Sequence, residues 1–299
     1  MLRSVWARFS RGMKVMRYSS ILSSAVIAVA LAASAIPAPA QEQVVKIATE
    51  GSYAPWNFTE GGTLKGFDID LAIDLCARAK LKCEILPQAW DGIIPALNAG
   101  KYDAIIAAMG ITAKRQEAIA FSIPYARARN GFFAAKNSDL AKLPETGQSF
   151  DLGTNADGAK AVIEKMRPLL KGKVIGVQGS TTNSAFLEQY FKDGVEVRQY
   201  KSTEEQELDL LSGRVDAIVQ SNISLATTKK NKQFDNYDIL GPTFLGGPFG
   251  TGVGIGLRKD DTKLKATLDK SVKEAIDDGT VKRLAQKWFA VDVTPLAQD

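Results

Sequence analysis

Apolar positions along this chain fall in short blocks whose period switches between two and about 3.6, the signature of alternating strands and helices. Val44-Val45-Lys46-Ile47-Ala48 reads as a short buried strand. Ile69, Leu71, Ala72, Leu75, Cys76 and Ala79 then recur at helical spacing, and Cys83 to Leu86 is strand-like again. Ile93, Ile94 and Leu97 mark a second helix ended by Gly100, and Asp103-Ala104-Ile105-Ile106-Ala107 reads as a second buried strand. Such β-α-β-α-β alternation predicts a mostly parallel sheet with helices on its faces. The stretch from Asn137 to Gly172 carries turn-forming residues in its first half and a helical pattern from Ala159 to Leu170, which reads as an elaborated connection. Asp261 to Phe289 reads as one amphipathic helical stretch, with Leu264, Leu268, Val272, Ile276, Leu284 and Trp288 on its apolar side.

The pattern repeats. Gly100-Lys-Tyr-Asp103-Ala-Ile-Ile resembles Gly213-Arg-Val-Asp216-Ala-Ile-Val, and Ile47-Ala-Thr-Glu50-Gly51-Ser52 resembles Ile175-Gly-Val-Gln178-Gly179-Ser180. The matches keep their order, so two similarly built α/β lobes are expected. Open parallel sheets bind ligands at the carboxyl ends of their strands. Two such ends facing each other make a cleft. Tyr125 to Phe132 and Leu240 to Pro242 are the candidate crossovers between lobes.

The first forty residues are a separate object. Arg3, Arg8, Arg11, Lys14 and Arg17 form a basic start, Ile21 to Ala33 is apolar, and Ala38-Pro39-Ala40 has the small residues a signal peptidase reads. Residues 1–40 are therefore expected to be a signal peptide; the apolar run is short for a membrane anchor. The whole chain has 38 basic and 33 acidic residues, but five of the basic ones and none of the acidic ones lie in this segment. What remains is balanced at 33 against 33, so the apparent basicity is no argument for a nucleic-acid partner. Export permits a disulfide between the two cysteines, Cys76 and Cys83, which would tie a helix end to the next strand; two reduced core thiols are the alternative. The chain has no histidine, which removes the commonest metal ligand and the commonest general base. No cofactor, metal or catalytic residue is expected, and binding rather than turnover is the expected role.

Candidate binding chemistry gathers at the strand ends. Arg115 follows Gly110-Ile-Thr112 on the start of a helix; its guanidinium can grip both oxygens of a carboxylate, and Gly110 lets a backbone N–H approach it. Gly179-Ser180-Thr181-Thr182 is the matching device in the second lobe, at a helix start that favours anions. Glu50 ends the first strand and can receive a cation. Tyr53, Trp56 and Trp90 can enclose an aliphatic or flat ligand body, although each alone is more often core packing.

Thr49-Glu50-Gly-Ser-Tyr-Ala-Pro-Trp56, Gly66-Phe-Asp-Ile-Asp70-Leu, Asp103-Ala-Ile, Lys114-Arg115-Gln, Gly176-Val-Gln-Gly-Ser-Thr181 and Gly256-Leu-Arg-Lys-Asp260 resemble the family 3 periplasmic solute-binding proteins of ABC importers. The Cys76–Cys83 spacing also matches a disulfide of basic amino-acid binders in that family. Within it, Trp90-Asp-Gly-Ile-Ile, Ala107-Ala-Met-Gly110, Gly246-Gly247 and Lys287-Trp-Phe with Asp292-Val-Thr-Pro295 are similar to the opine-binding group, the octopine and nopaline receptors. The resemblance implies an α/β, two-lobed periplasmic binding protein fold of type II, each lobe a mixed, mostly parallel sheet with flanking helices, joined by a two-strand hinge. Lobe 1 would comprise residues 41–128 and 241–299, and lobe 2 residues 129–240. Arg115, the Gly110 amide, Ser180 and Thr181 would hold an α-carboxylate. Glu50 would face a cationic end, and Tyr53, Trp56, Trp90 and Ala108 would line the middle. Lysine/arginine binders carry an aspartate for the free α-ammonium where this chain has Ser221. A neutral residue there suits an opine, whose secondary amine bears a further carboxylate. The implied function is periplasmic capture of an arginine-derived opine by closure of two lobes, with the membrane subunits of an ABC importer as partners and a monomeric chain. An ordinary basic amino acid, or a dehydratase reaction on the same fold, is the alternative.

Overall fold

The computed structural model describes residues 44–295, so the expected signal peptide lies outside the described residues. Strand β1 (Val45–Thr49) is followed by a small antiparallel sheet, β2 (Ser52–Tyr53), β3 (Asn57–Glu60) and β4 (Thr63–Lys65). Then come α1 (Phe67–Ala79), β5 (Cys83–Pro87), α2 (Ile93–Asn98), β6 (Ala104–Ile105), α3 (Ala113–Gln116) and β7 (Ala120–Phe121). The second lobe contributes β8 (Asn130–Ala135), β9 (Ser149–Asp151), α4 (Ala156–Leu170), β10 (Val174–Gln178), α5 (Thr182–Tyr190), β11 (Glu196–Tyr200), α6 (Thr203–Leu211), β12 (Ala217–Ser221), α7 (Asn222–Thr228) and β13 (Tyr237–Leu245). The chain finishes with β14 (Gly256–Leu257), α8 (Thr262–Asp277) and α9 (Thr280–Phe289).

Two sheets result, ordered β5-β1-β6-β14-β7 and β11-β10-β12-β8-β13-β9. The repeat read from the sequence is visible in both. β1 lies parallel between β5 and β6 with Ile47 beside Ala104, and β10 lies parallel between β11 and β12 with Ile175 beside Ala217. The repeated aspartates have one job. Asp103 Oδ2 accepts from Lys46 N at 2.9 Å, and Asp216 Oδ2 accepts from Val174 N at 2.8 Å. Each satisfies a backbone donor near the start of the central strand, where the ladder has no partner for it.

Alternate strand residues feed opposite faces of each sheet. Ile47 joins a core with Leu71, Leu75 and Val272, whereas its neighbour Ala48 joins Ile93, Leu97 and Ile105. In the second lobe Ala217 and Val219 pack with Val162 and Phe186, and Ile218 packs with Leu210 and Leu225. Cys76 and Cys83 form a disulfide that ties α1 to the start of β5. On the chain-entropy account so short a loop contributes roughly 2–2.5 kcal/mol.

Four local expectations change. The stretch from 261 to 289 is two helices, because Gly279 takes φ +78° between them. The strand expected over 103–107 pairs only at Ala104 and Ile105. β9, hidden in the expected connection, adds a parallel edge strand beside β13. Leu240 to Pro242 is an irregularity inside β13 and not a crossover. Gly241 sits at φ +73° and Pro242 has no N–H, so the ladder skips there and resumes at Phe244. The second sheet therefore runs to Leu245, past the expected lobe boundary at 240.

Candidate functional site

A cavity of about 510 Å³ opens between the carboxyl ends of the two sheets. Nine of the ten expected site residues line it: Glu50, Tyr53, Trp56, Trp90, Ala108, Gly110, Arg115, Thr181 and Ser221. Ser180 stands at its edge.

Arg115 lies on α3, whose N-cap Thr112 accepts from Arg115 N at 3.2 Å. Its guanidinium donates to Gly110 O at 3.0 Å and to Ser180 O at 3.2 Å, and rests 5.1 Å from the centre of the Trp90 ring. Among the described residues it has no carboxylate partner. Withdrawal from solvent pulls its pKa down to about 10, so it stays cationic at neutral pH. A cation so placed is a seat for an anion.

Gly110 forms an isolated bridge with Val253, made by Ile111 N to Gly252 O at 2.8 Å and Gly254 N to Met109 O at 3.0 Å. That pattern leaves the Gly110 N–H without a protein acceptor among the described residues. A side chain here would come within 3.1 Å of Phe249 O and 3.2 Å of the Thr182 methyl.

From the second lobe comes the start of α5. Thr181 is its N-cap, accepting from Ser184 N at 3.2 Å. Thr182 and Asn183 also line the cavity, with first-turn N–H groups that have no helical acceptor. Ser180 lies just before that helix. It is exposed, at φ +59°, and its carbonyl oxygen faces the first lobe. That oxygen accepts from both Trp90 Nε1, at 3.3 Å, and Arg115. A carbonyl only accepts, so this oxygen orients the arginine, and any hold on a carboxylate would fall to the N–H or hydroxyl of Ser180.

The acidic end is also shared between lobes. Gln178 Nε2 donates to Glu50 Oε1 at 2.6 Å and to Lys201 O at 3.1 Å, and Ser52 Oγ donates to the same Glu50 oxygen at 3.1 Å. Glu50 Oε2 accepts nothing among the described residues. Burial raises the Glu50 pKa; the bonds from Gln178 and Ser52 oppose that rise, and Asp91 nearby adds to it. A ligand cation would act against that rise and favour the charged form. Thr203 Oγ1 to Ser52 O, at 3.2 Å, adds another contact across the cleft.

Tyr53 is pushed up to about 12 by burial, with the Ser224 and Ser221 hydroxyls near it opposing the shift. Ser221 is the N-cap of α7, its Oγ accepting from Ile223 N at 3.3 Å. Trp56 is fully buried, packed against Phe67 and Phe289 at centroid distances of 5.6 and 4.6 Å, so its main role is in the core.

Beneath the wall lies Asp68, fully buried, accepting from Asn57 Nδ2 at 2.7 Å and from the Tyr125 hydroxyl at 2.8 Å. Asn57 in turn accepts from Gly51 N at 2.9 Å. This chain of bonds fixes the turn after Glu50 to the crossover. Desolvation lifts Asp68 to about 7 despite those bonds.

Sequence reasoning missed Arg127, Asn130 and Asp151, all lining the cavity. Asn130 is buried, and its side-chain amide has no hydrogen-bond partner among the described residues. They lie on crossover and connecting segments that carry no motif of their own. Their proximity to the hinge was the available signal.

The profile of the bacterial extracellular solute-binding proteins, family 3, matches residues 45–291. The octopine-binding periplasmic protein of Rhizobium meliloti is 47% identical, over 94% of this chain and 100% of that protein. The lysine/arginine/ornithine-binding periplasmic protein of Escherichia coli (strain K12) is 34% identical, over 93% and 99%. Among solved structures, an ancestral arginine-binding protein bound to arginine superposes with a TM-score of 0.68 at 32% identity, covering 82% of this chain and 98% of that one.

Proposed function

Since the chain belongs to the bacterial extracellular solute-binding proteins of family 3, and is the periplasmic substrate-binding component of an ABC importer, we propose that its ligand is an arginine-derived opine such as octopine or nopaline. The observation that carries this reading is the charge layout of the cleft. Arg115 and the Gly110 amide offer one carboxylate site, Glu50 Oε2 offers a guanidinium site, and the position where an ammonium would need an acid is the neutral, helix-capping Ser221. A free α-ammonium there forgoes a charge-assisted bond worth roughly 1.5–3 kcal/mol. A secondary amine bearing a carboxylate meets no like charge. The similarity to an octopine-binding relative supports the same reading.

The two lobes, one built on the sheet β5-β1-β6-β14-β7 and the other on the sheet β11-β10-β12-β8-β13-β9, which keeps all of β13 to Leu245, close on the ligand, and the bound molecule leaves unchanged. The first lobe supplies Glu50, Tyr53, Trp90 and Arg115; the second brings Thr181 and Ser221. Calorimetric titration of the mature chain with octopine, nopaline, arginine, ornithine and lysine tests this. An opine should bind more tightly than arginine, and Glu50→Gln should weaken every guanidinium ligand by about tenfold or more. Tight arginine binding with no opine binding sinks the assignment and leaves an ordinary basic amino-acid receptor.

A further inference from the structure

Among the described residues, two arginines line the cavity, and an amino acid with one carboxylate needs one of them. Arg115 is the first. Arg127 is the second, on the crossover that leads out of the first sheet, where Arg127 N donates to Val293 O at 2.8 Å. Its guanidinium makes no hydrogen bond among the described residues. It has one ion-pair neighbour, Asp151, with Nη2 at 3.6 Å from Oδ2, too far for a hydrogen bond.

Asp151 has other work. Its Oδ1 accepts from Gly153 N at 2.8 Å and from Thr154 N at 3.1 Å. The chain passes so close that a Cβ on Gly246 would lie 2.2 Å from the same oxygen. Asp151 is therefore pinned by backbone on two sides, and Arg127 is held only by its field. The pair lies on the same cavity as Arg115, with Gly153, Thr154 and Gly246 as its wall.

We propose that Arg127 is the anchor for the second carboxylate of an opine, and that Asp151 sets how strongly that carboxylate must bind by competing for the same guanidinium. The assignment rests on the opine reading above. An open guanidinium can take a carboxylate through two parallel N–H bonds, a geometry the 3.6 Å contact to Asp151 does not use. Arginine, with no second carboxylate, gains nothing from it. Discrimination between an opine and its parent amino acid then comes from a group remote from the Arg115 site.

The test is titration of the mature chain and two variants with octopine, nopaline and arginine. Arg127→Met should lower opine affinity by about tenfold more than it lowers arginine affinity. Asp151→Asn keeps an oxygen for Gly153 N and Thr154 N but removes the competing charge. It should shift the opine-to-arginine ratio the opposite way, by a few fold. If Arg127→Met weakens both ligands by the same factor, the pair is a strap between crossover and second lobe and the proposal is overturned. If neither ligand responds, the second carboxylate sits elsewhere, which also overturns it. A wild-type protein that binds arginine and no opine refutes the functional reading itself, an outcome distinct from either.

Discussion

Replacing Arg115 by methionine should separate binding from folding. Arg115 gives two hydrogen bonds to carbonyl oxygens, at 3.0 and 3.2 Å, and rests against Trp90, yet no described acid neutralises it. Arg115 is half-buried, so withdrawing its guanidinium from water costs only part of the full desolvation penalty, and those contacts return some of it. A ligand carboxylate completes the pair through charge-assisted bonds worth roughly 1.5–3 kcal/mol each before desolvation. Removing the cation also leaves the ligand's carboxylate in the cleft unpaired. The combined loss is about 3–5 kcal/mol, or roughly a hundredfold to several thousandfold in Kd. The fold loses little, because methionine covers the same stem without a half-buried charge; the melting temperature without ligand should hold or rise by a few degrees. Calorimetry with octopine and arginine, beside a thermal melt of the same samples, reads both quantities. A variant that binds within tenfold of wild type would show that the carboxylate is not at Arg115. A variant that loses binding together with its melting transition would show that Arg115 holds the fold.

Two further outcomes follow from one residue behind the cavity wall and one within it. Asp68 ordinarily titrates near 3.8 and is lifted to about 7 by burial, so the folded state holds its proton more tightly than the unfolded state does. Stability from this group is present at low pH and declines as pH rises from about 4 to about 7, by on the order of 4 kcal/mol. Asp68→Asn should flatten that decline in urea titrations across the window, leaving the contributions of Glu50 and Glu207, which burial shifts in the same direction; an unchanged slope would mean that Asp68 is solvated. Gly246→Ala forces a Cβ toward Asp151 Oδ1 at φ +67°, and should cost about 2–4 kcal/mol in chemical denaturation. A loss below about 1 kcal/mol would mean that the loop around Asp151 gives way.

The parts of this protein that the sequence discloses are those whose role is carried by side-chain identity at a fixed spacing. Asp103 and Asp216 are legible because only a short acceptor reaches back to the neighbouring strand, so the same Gly-x-x-Asp pattern appears twice. Arg115 and Glu50 are legible because a charge at a strand end or helix start needs a reason. The contact of Ser180 with Arg115 is not, because it is made by a carbonyl, which every residue type has, and only a left-handed φ turns that oxygen toward the arginine. β9 is hidden because three residues with one apolar side chain, Phe150, make no pattern. Trp56 and Trp90 look alike in sequence; packing alone puts the first into the core and the second against the arginine.

The contact between Gln178 and Glu50 joins residues that occupy the same place in the two repeats. Walls built on one plan would offer a long molecule with unlike ends two seats, one the reverse of the other. An acid at both places would make the seats equal, or would call for a cation at each end. An acid on one wall and an amide on the other removes that degeneracy. The backbone is nearly repeated while the charge is not, and with Arg115 facing an uncharged helix start this difference gives the cleft a head and a tail.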